Sequence, residues 1–311
     1  MTQAVTVSAD LEVAGLGRSL WGDAVHRLRR DPLAAACFAV IVLYVVVAVW
    51  ASWAYADFEK TQNYAERNQA PSASHWLGTD VFGRDVLAKT LLGAKVSMTV
   101  GAMANVIAVP LGLILGVIAG YFGKWVDDVV VWLYTTMASI PGIIRLIAIK
   151  YAFDNVVLFE GSRFELDLGG IHGLYIALGV MSWIGTCRLV RAETFKIKSL
   201  DYVTAARALG QGGFRIVFRH IVPNLFHIAI IQFTLGFVGA VAAEVILSFL
   251  GLGVEVGTPS WGTMINAARL DLVVGRWWEV TAACGAMFAI VLALNIFGDR
   301  LRDALDPRLR T

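Results

Sequence analysis

Six stretches of this chain run for about 20 residues with little or no charge, the length a helix needs to cross a hydrocarbon core of about 30 Å. Inside such a core every backbone polar group must be satisfied within the protein, which limits the spanning structures to helices and closed barrels. The stretches are 33–55, 96–122, 129–152, 171–187, 225–250 and 280–298. Charged residues make up 16% of the chain against about 25% in an ordinary globular protein, and they are clustered between the apolar runs. The expected fold is all-α and polytopic, with six transmembrane helices in a lipid bilayer.

The order of charged and apolar segments gives four regions. Residues 1–32 form a polar N-terminal segment ending in "HRLRRDP", and 33–95 hold the first span and a long loop. Residues 96–298 form the core, with a polar loop at 188–223, and 299–311 are a charged tail. The first apolar run starts too late and is too long for a cleaved leader. The N-terminal segment carries Arg18, Arg27, Arg29 and Arg30, and the tail Arg300, Arg302, Arg308 and Arg310. The loop at 188–223 carries Arg188, Arg191, Lys196, Lys198, Arg207, Arg215 and Arg219, whereas the loops after spans three and five are poor in Lys and Arg. By the positive-inside rule both termini and this loop face the cytoplasm. The loop after span one also holds Lys60, Arg67, Arg84, Lys89 and Lys95, but its length loosens the rule there. Trp50, Trp53, Trp76, Trp125, Trp277 and Trp278 lie near the ends of apolar runs, as interfacial anchors do.

Several chemistries find no support. A net charge of +2 without a basic, aromatic-interleaved stripe excludes a nucleic-acid partner. Cys37, Cys187 and Cys284 have neither paired nor metal-ligand spacing and read as inert. His220 and His227 share a helical face, but lack the carboxylate or thiolate company of a metal site. No G-x-x-x-x-G-K-[ST], H-E-x-x-H or G-x-S-x-G motif occurs, so neither a catalytic site nor a nucleotide cofactor is expected in this chain.

The polar loop contains "DYVTAARALGQGGFRIVFRHIVPN" at 201–224. Asp201 is placed to cap a short helix running to Leu209, with Gly210 as its stop. Tyr202, Ala205, Ala206 and Leu209 fall at i, i+3, i+4 and i+7, a narrow apolar face whose alanines admit a close neighbour. Gly210, Gly212 and Gly213 permit a reversal. A second short helix over 214–220 carries Arg215 and Arg219 at i, i+4, and Pro223 suits the first turn of the next span. Two readings fit: a docking point for a partner protein, or a plain connection whose arginines set orientation.

The block resembles the cytoplasmic "EAA" loop of ATP-binding-cassette (ABC) importer permeases. Ala205, Ala206, Gly210 and Pro223 match at that spacing, while Thr204 replaces the usual Glu, His220 a common Ile, and Val222 a Leu. "HWLGTDVFGRDVLAKTLLGAKVSMTVG" at 75–101, "AGYFGKWVDD" at 119–128, "EVILSFLGLGVEVGTPSWGTMI" at 244–265 and "DPRLR" at 306–310 are similar to the C-type subunits of dipeptide and oligopeptide permeases. This resemblance implies a type I importer fold in a bacterial inner membrane, paired with a homologous second permease. It also implies two cytoplasmic ATPases that hold ATP and Mg and dock on the coupling loop, and an extracytoplasmic solute-binding protein. The cargo it implies is a peptide, with nickel chelate, glutathione or a short oligosaccharide carried by relatives. An ion-coupled secondary transporter is the alternative of a different class, although no inverted repeat is visible.

Arg145, Lys150 and Glu244 sit inside apolar runs, where ionisable groups face a protein interior or a water path. Lys150 is near the outer end of span three and can snorkel. Arg145 lies about 7 Å deeper by helical rise and departs from the apolar run expected in the family after "SIPG". Arg145 and Glu244 are expected either to pair with each other, or separately with the partner permease, and so fix packing, or, for Arg145, to line the path and attract the carboxylate of a peptide. The Gly-rich segment after span five, with Gly251, Gly253, Pro259 and Trp261, is either a simple turn or part of the binding-protein seat.

Overall fold

The computed structural model describes residues 20–153, 156–161, 166–254 and 257–305. Arg18 and the terminal "DPRLR", with Arg308 and Arg310, lie outside the described residues. The chain opens with α1 (Leu20–Arg30), a helix within the segment read above only as polar. Asp31 then caps α2 (Pro32–Ala54): its Oδ1 accepts from the Leu33 and Ala34 amides at 2.9 and 3.3 Å, and Pro32 occupies the first turn. A loop with two short 3-10 turns leads to α3 (Val86–Phe122). Asp85 caps α3 through the Ala88 amide at 3.0 Å, so this helix begins at 86 and not at 96.

Span three is not one straight helix. It divides into α4 (Lys124–Ser139) and α5 (Gly142–Phe153), bent by 98°. Pro141 drives the residue before it out of helical geometry, and Ile140 is extended at φ −88, ψ 130. A two-residue hairpin, β1 (Val157–Leu158) with β2 (Leu166–Asp167), pairs Val157 with Asp167 and Leu158 with Leu166. Next come α6 (Ile171–Ile197), α7 (Asp201–Ala208), α8 (Gly213–Ile216), a π turn (Val217–Ile221) and α9 (Val222–Phe249). The chain ends with α10 (Trp261–Val273) and α11 (Trp278–Leu305). Among the described residues five helices can each cross a membrane by length and composition, and the bent pair α4–α5 supplies a sixth.

The spans meet most closely where side chains vanish. Gly112, Gly116 and Gly120 recur every four residues along α3 and face α6. A Cβ on Gly112 would lie 2.7 Å from the Trp183 carbonyl oxygen, and one on Gly116 2.7 Å from that of Cys187. On Gly120 it would meet Thr194 Cβ at 2.6 Å. From the other side Gly179 of α6 receives Ile107 in the same way. Small residues at a fourfold spacing let two membrane helices approach until their backbones touch, which supplies dispersion where no hydrophobic drive exists.

At one end of the bundle a buried ionic cluster closes the loop after α2. Lys89 Nζ pairs with Asp80 at 3.0 Å and with Glu279 of α11 at 2.6 Å. Arg84 Nη2 reaches the same Asp80 at 2.8 Å, and all four residues are buried. Trp278 Nε1 donates to the Thr79 carbonyl at 3.1 Å beside them. At the opposite end Arg300 of α11 pairs with Asp31 at 3.4 Å. Burial by itself would raise the Asp80 carboxyl, but the Lys89 charge and the hydrogen bonds from Arg84 and Lys89 outweigh it and hold Asp80 below the usual carboxylate range.

Two outcomes follow for the purified protein in detergent. Lys89→Met leaves Glu279 buried without a cation and Asp80 with Arg84 alone, so stability falls by about 3–5 kcal/mol, read as a lower Tm. Because the folded Asp80 pKa is depressed, its contribution is complete above its unfolded value near about 3.9 and is lost as pH falls through the lower folded value. Asp80→Asn removes that acid limb from a plot of Tm against pH.

Candidate functional site

The polar block folds as a helix–turn–helix pressed onto the ends of α3, α6 and α9. Asp201 does not cap α7. The N-cap is Leu200, whose carbonyl accepts from the Val203 and Thr204 amides at 3.0 and 3.1 Å, while Asp201 is the first helical residue. A carboxylate in that turn still suits the positive end of the helix. Thr204 donates to the Asp201 carbonyl at 2.9 Å. Leu209 is the C-cap and Gly210 follows at φ +79, a left-handed position that glycine adopts without strain. Gly212 and Gly213 do not share that conformation; Gly212 is extended and Gly213 opens α8.

The apolar face of α7 is divided differently from the sequence expectation. Val203 and Ala206 are buried against Ile216, Val217, Ile221, Leu225 and Val190. Tyr202, Ala205 and Leu209 face outward, with Leu209 82% exposed. Of the four residues read as one face only Ala206 packs inward, and Val203 is its partner. Phe214, Arg215, Phe218 and Arg219 extend the exposed surface and line a shallow depression. Pro223 lies in the first turn of α9, as its type predicts.

Side-chain bonds fasten the block to the spans. Lys198 Nζ donates to the Gly120 carbonyl at 2.7 Å, at the end of the α3–α6 seam. The Arg207 guanidinium lies 5.8 Å from the Tyr121 ring, and Phe122 meets Phe214 at 5.4 Å between centroids. Asn224 of α9 donates to the Tyr202 hydroxyl at 3.1 Å, and His220 bonds Gln211 at 3.2 Å. Arg191 of α6 grips Asp127 of α4 through both oxygens. The inward half of α7 is therefore packed onto the helices, and Tyr202 and Arg207 on its exposed side also reach back to α9 and α3.

The structure does not pair Arg145 with Glu244. Arg145 Nη1 donates to the Met137 carbonyl, across the α4–α5 break. Glu244 is fully buried, accepting from Ser248 at 2.8 Å and from Ser97 of α3 at 3.3 Å. Those serines supply the hydrogen bonds that the expected ion pair would have supplied. Lys150 does not snorkel; it is buried and donates to the Gly169 carbonyl.

The Gly-rich segment after α9 is only partly exposed. Gly251 is exposed, at φ +77, but Gly253 packs against Ser248, and Pro259 and Trp261 are buried. Trp261 Nε1 donates to the Thr90 carbonyl of α3 at 3.1 Å, and its indole fills the space beside Gly93. Trp261 is a core residue, because it opens the unforeseen helix α10. A capping box between Ser260 and Thr263, with Trp261, Met264 and Ala268 buried behind it, is the sequence signal for that helix.

Residues 112–311 match the family described as "Binding-protein-dependent transport system inner membrane component". Residues 19–71 match that described as "N-terminal TM domain of oligopeptide transport permease C". The chain is 33% identical to a glutathione transport system permease protein of Pectobacterium atrosepticum, over 94% of this chain and 93% of the relative. It is 34% identical to a dipeptide transport system permease protein of Bacillus subtilis, over 93% and 86%. A glutathione transport system permease protein of Escherichia coli is 36% identical over 94% and 92%.

Gly210 tests the geometry of the turn directly. A valine there must hold a left-handed conformation, at a cost of about 1–2 kcal/mol. In Gly210→Val, amide hydrogen exchange is expected to rise over 201–216 and to stay unchanged along the α3–α6 seam.

Proposed function

Because the chain belongs to the family of binding-protein-dependent transport inner membrane components, we propose that it works as one half of a paired translocation path driven at α7. It is a peptide-type permease subunit of an ABC importer, a multi-pass protein of the inner membrane. The proposed assembly has a homologous second permease, two ATPase subunits that bind ATP and Mg, and a solute-binding protein on the outer side. Basic residues gathered at the α7 end favour a cytoplasmic position for that end and for both termini.

One observation carries the coupling role: α7 is divided between a buried half, Val203 and Ala206, and an exposed half, Tyr202, Ala205 and Leu209. A partner that moves the exposed half must move the ends of α3, α6 and α9 with it. The named relatives carry dipeptides or glutathione, and a dipeptide is the first cargo proposed, with glutathione second. Family membership sets aside the ion-coupled alternative.

The complete complex in proteoliposomes tests this. ATP with the loaded binding protein outside is expected to drive dipeptide uptake. The Gly210→Val complex should still hydrolyse ATP but import about 5- to 100-fold less solute per ATP. Uptake by Gly210→Val equal to wild type contradicts the coupling role, and uptake driven by an ion gradient without ATP contradicts the class.

A further inference from the structure

The break between α4 and α5 leaves irregular backbone without cover from this chain. Ser139, Ile140, Pro141 and Gly142 are all exposed, inside a bent pair that otherwise qualifies as a membrane span. Irregular backbone at membrane depth persists only against protein or along a water-filled cavity. In secondary transporters, a different class, interrupted helices surround the solute site.

Beside the break lies a cavity of about 270 Å³ between α5, α6 and α9. Its walls are mainly apolar, with Leu146, Leu178, Met181 and Leu247 among them, and Ser182 and Arg145 are its polar members. This volume accommodates the end of a small peptide and not a whole drug-sized ligand, which takes about 300–1,000 Å³.

Arg145 is held on one side only. Nη1 donates to the Met137 carbonyl, which fixes the guanidinium plane at the end of α4. Nε is buried and has no hydrogen-bond partner. Among the described residues no carboxylate pairs with this guanidinium, and Glu244, the nearest expectation, is bonded to serines. The unfilled edge of this cation keeps a demand for an anion. The fork of a guanidinium matches the two oxygens of a carboxylate.

We propose that Arg145 is a carboxylate-binding station on the solute path, taking the C-terminal carboxylate of a peptide on its guanidinium while the apolar walls receive the last side chain. The inference rests on the peptide-permease reading and adds which end of the solute is recognised inside the membrane. Selection there is independent of the binding protein, because the station acts after the solute has been delivered.

The test uses the complete complex in proteoliposomes, with the binding protein saturated by a dipeptide or by the same dipeptide amidated at its C-terminus. Arg145→Gln is expected to lower maximal uptake of the free-carboxylate peptide by about 10- to 100-fold and to leave the amide unchanged. Arg145→Lys, which keeps the charge but not the fork, is expected to fall between. Co-purification of the subunits checks assembly, and if the Gln complex does not assemble the Lys complex decides by the same ratio. Equal loss for both peptides, or loss for neither, overturns the station and leaves the importer reading intact. Failure of the wild-type complex to import either peptide overturns the peptide reading, and the station with it.

Discussion

The approach of α3 to α6 at Gly112, Gly116 and Gly120 is the contact on which the other elements depend. Lipid offers no hydrophobic drive for one apolar helix to prefer another, so helices hold together through close packing and hydrogen bonds. Here three absent side chains bring α6 against α3 over the half of the bundle nearer α7. The seam ends where Lys198 bonds the Gly120 carbonyl, and α7 begins shortly afterwards. A side chain at any of these glycines would force α6 away and shift the platform beneath α7.

This arrangement gives the chain a mechanical logic. The outward side of α7 offers Tyr202, Ala205 and Leu209, and its inward side is locked by Val203 and Ala206 to residues of α6, α8 and α9. At the far end Glu244 ties α9 to α3 through Ser97, and Lys89 ties the loop after α2 to α11 through Glu279. On the proposed coupling role, displacement of α7 is passed to the spans through this packing.

The architecture was largely legible in the sequence because charge-free runs of membrane length admit few structures. The break at Ile140–Pro141 was legible in principle from the proline, yet prolines also occur within intact membrane helices, as Pro110 does in α3. Lys89 and Arg84 read as loop charges because their buried environment is created by distant chain; Glu279 is 190 residues from Lys89. Trp261 reads as part of a Gly-rich turn or seat unless the Ser260–Thr263 capping box beside it is taken as a helix start. The α7 face was misread by one position, with Val203 inside and Tyr202 outside. An eight-residue helix has too few turns for its own periodicity to say which side another element will cover.

The central claim is that the exposed side of α7 is where a cytoplasmic ATPase subunit bears on this chain. A photo-crosslinking benzophenone side chain at Leu209, in the assembled complex in native membranes, measures that contact directly, with the same group at the exposed Trp53 of α2 as the comparison. The account expects a crosslink from position 209 to the ATPase subunit and none from position 53. A crosslink from position 209 to lipid or to the second permease, with the ATPase subunit unlabelled in a complex that still imports solute, would contradict it.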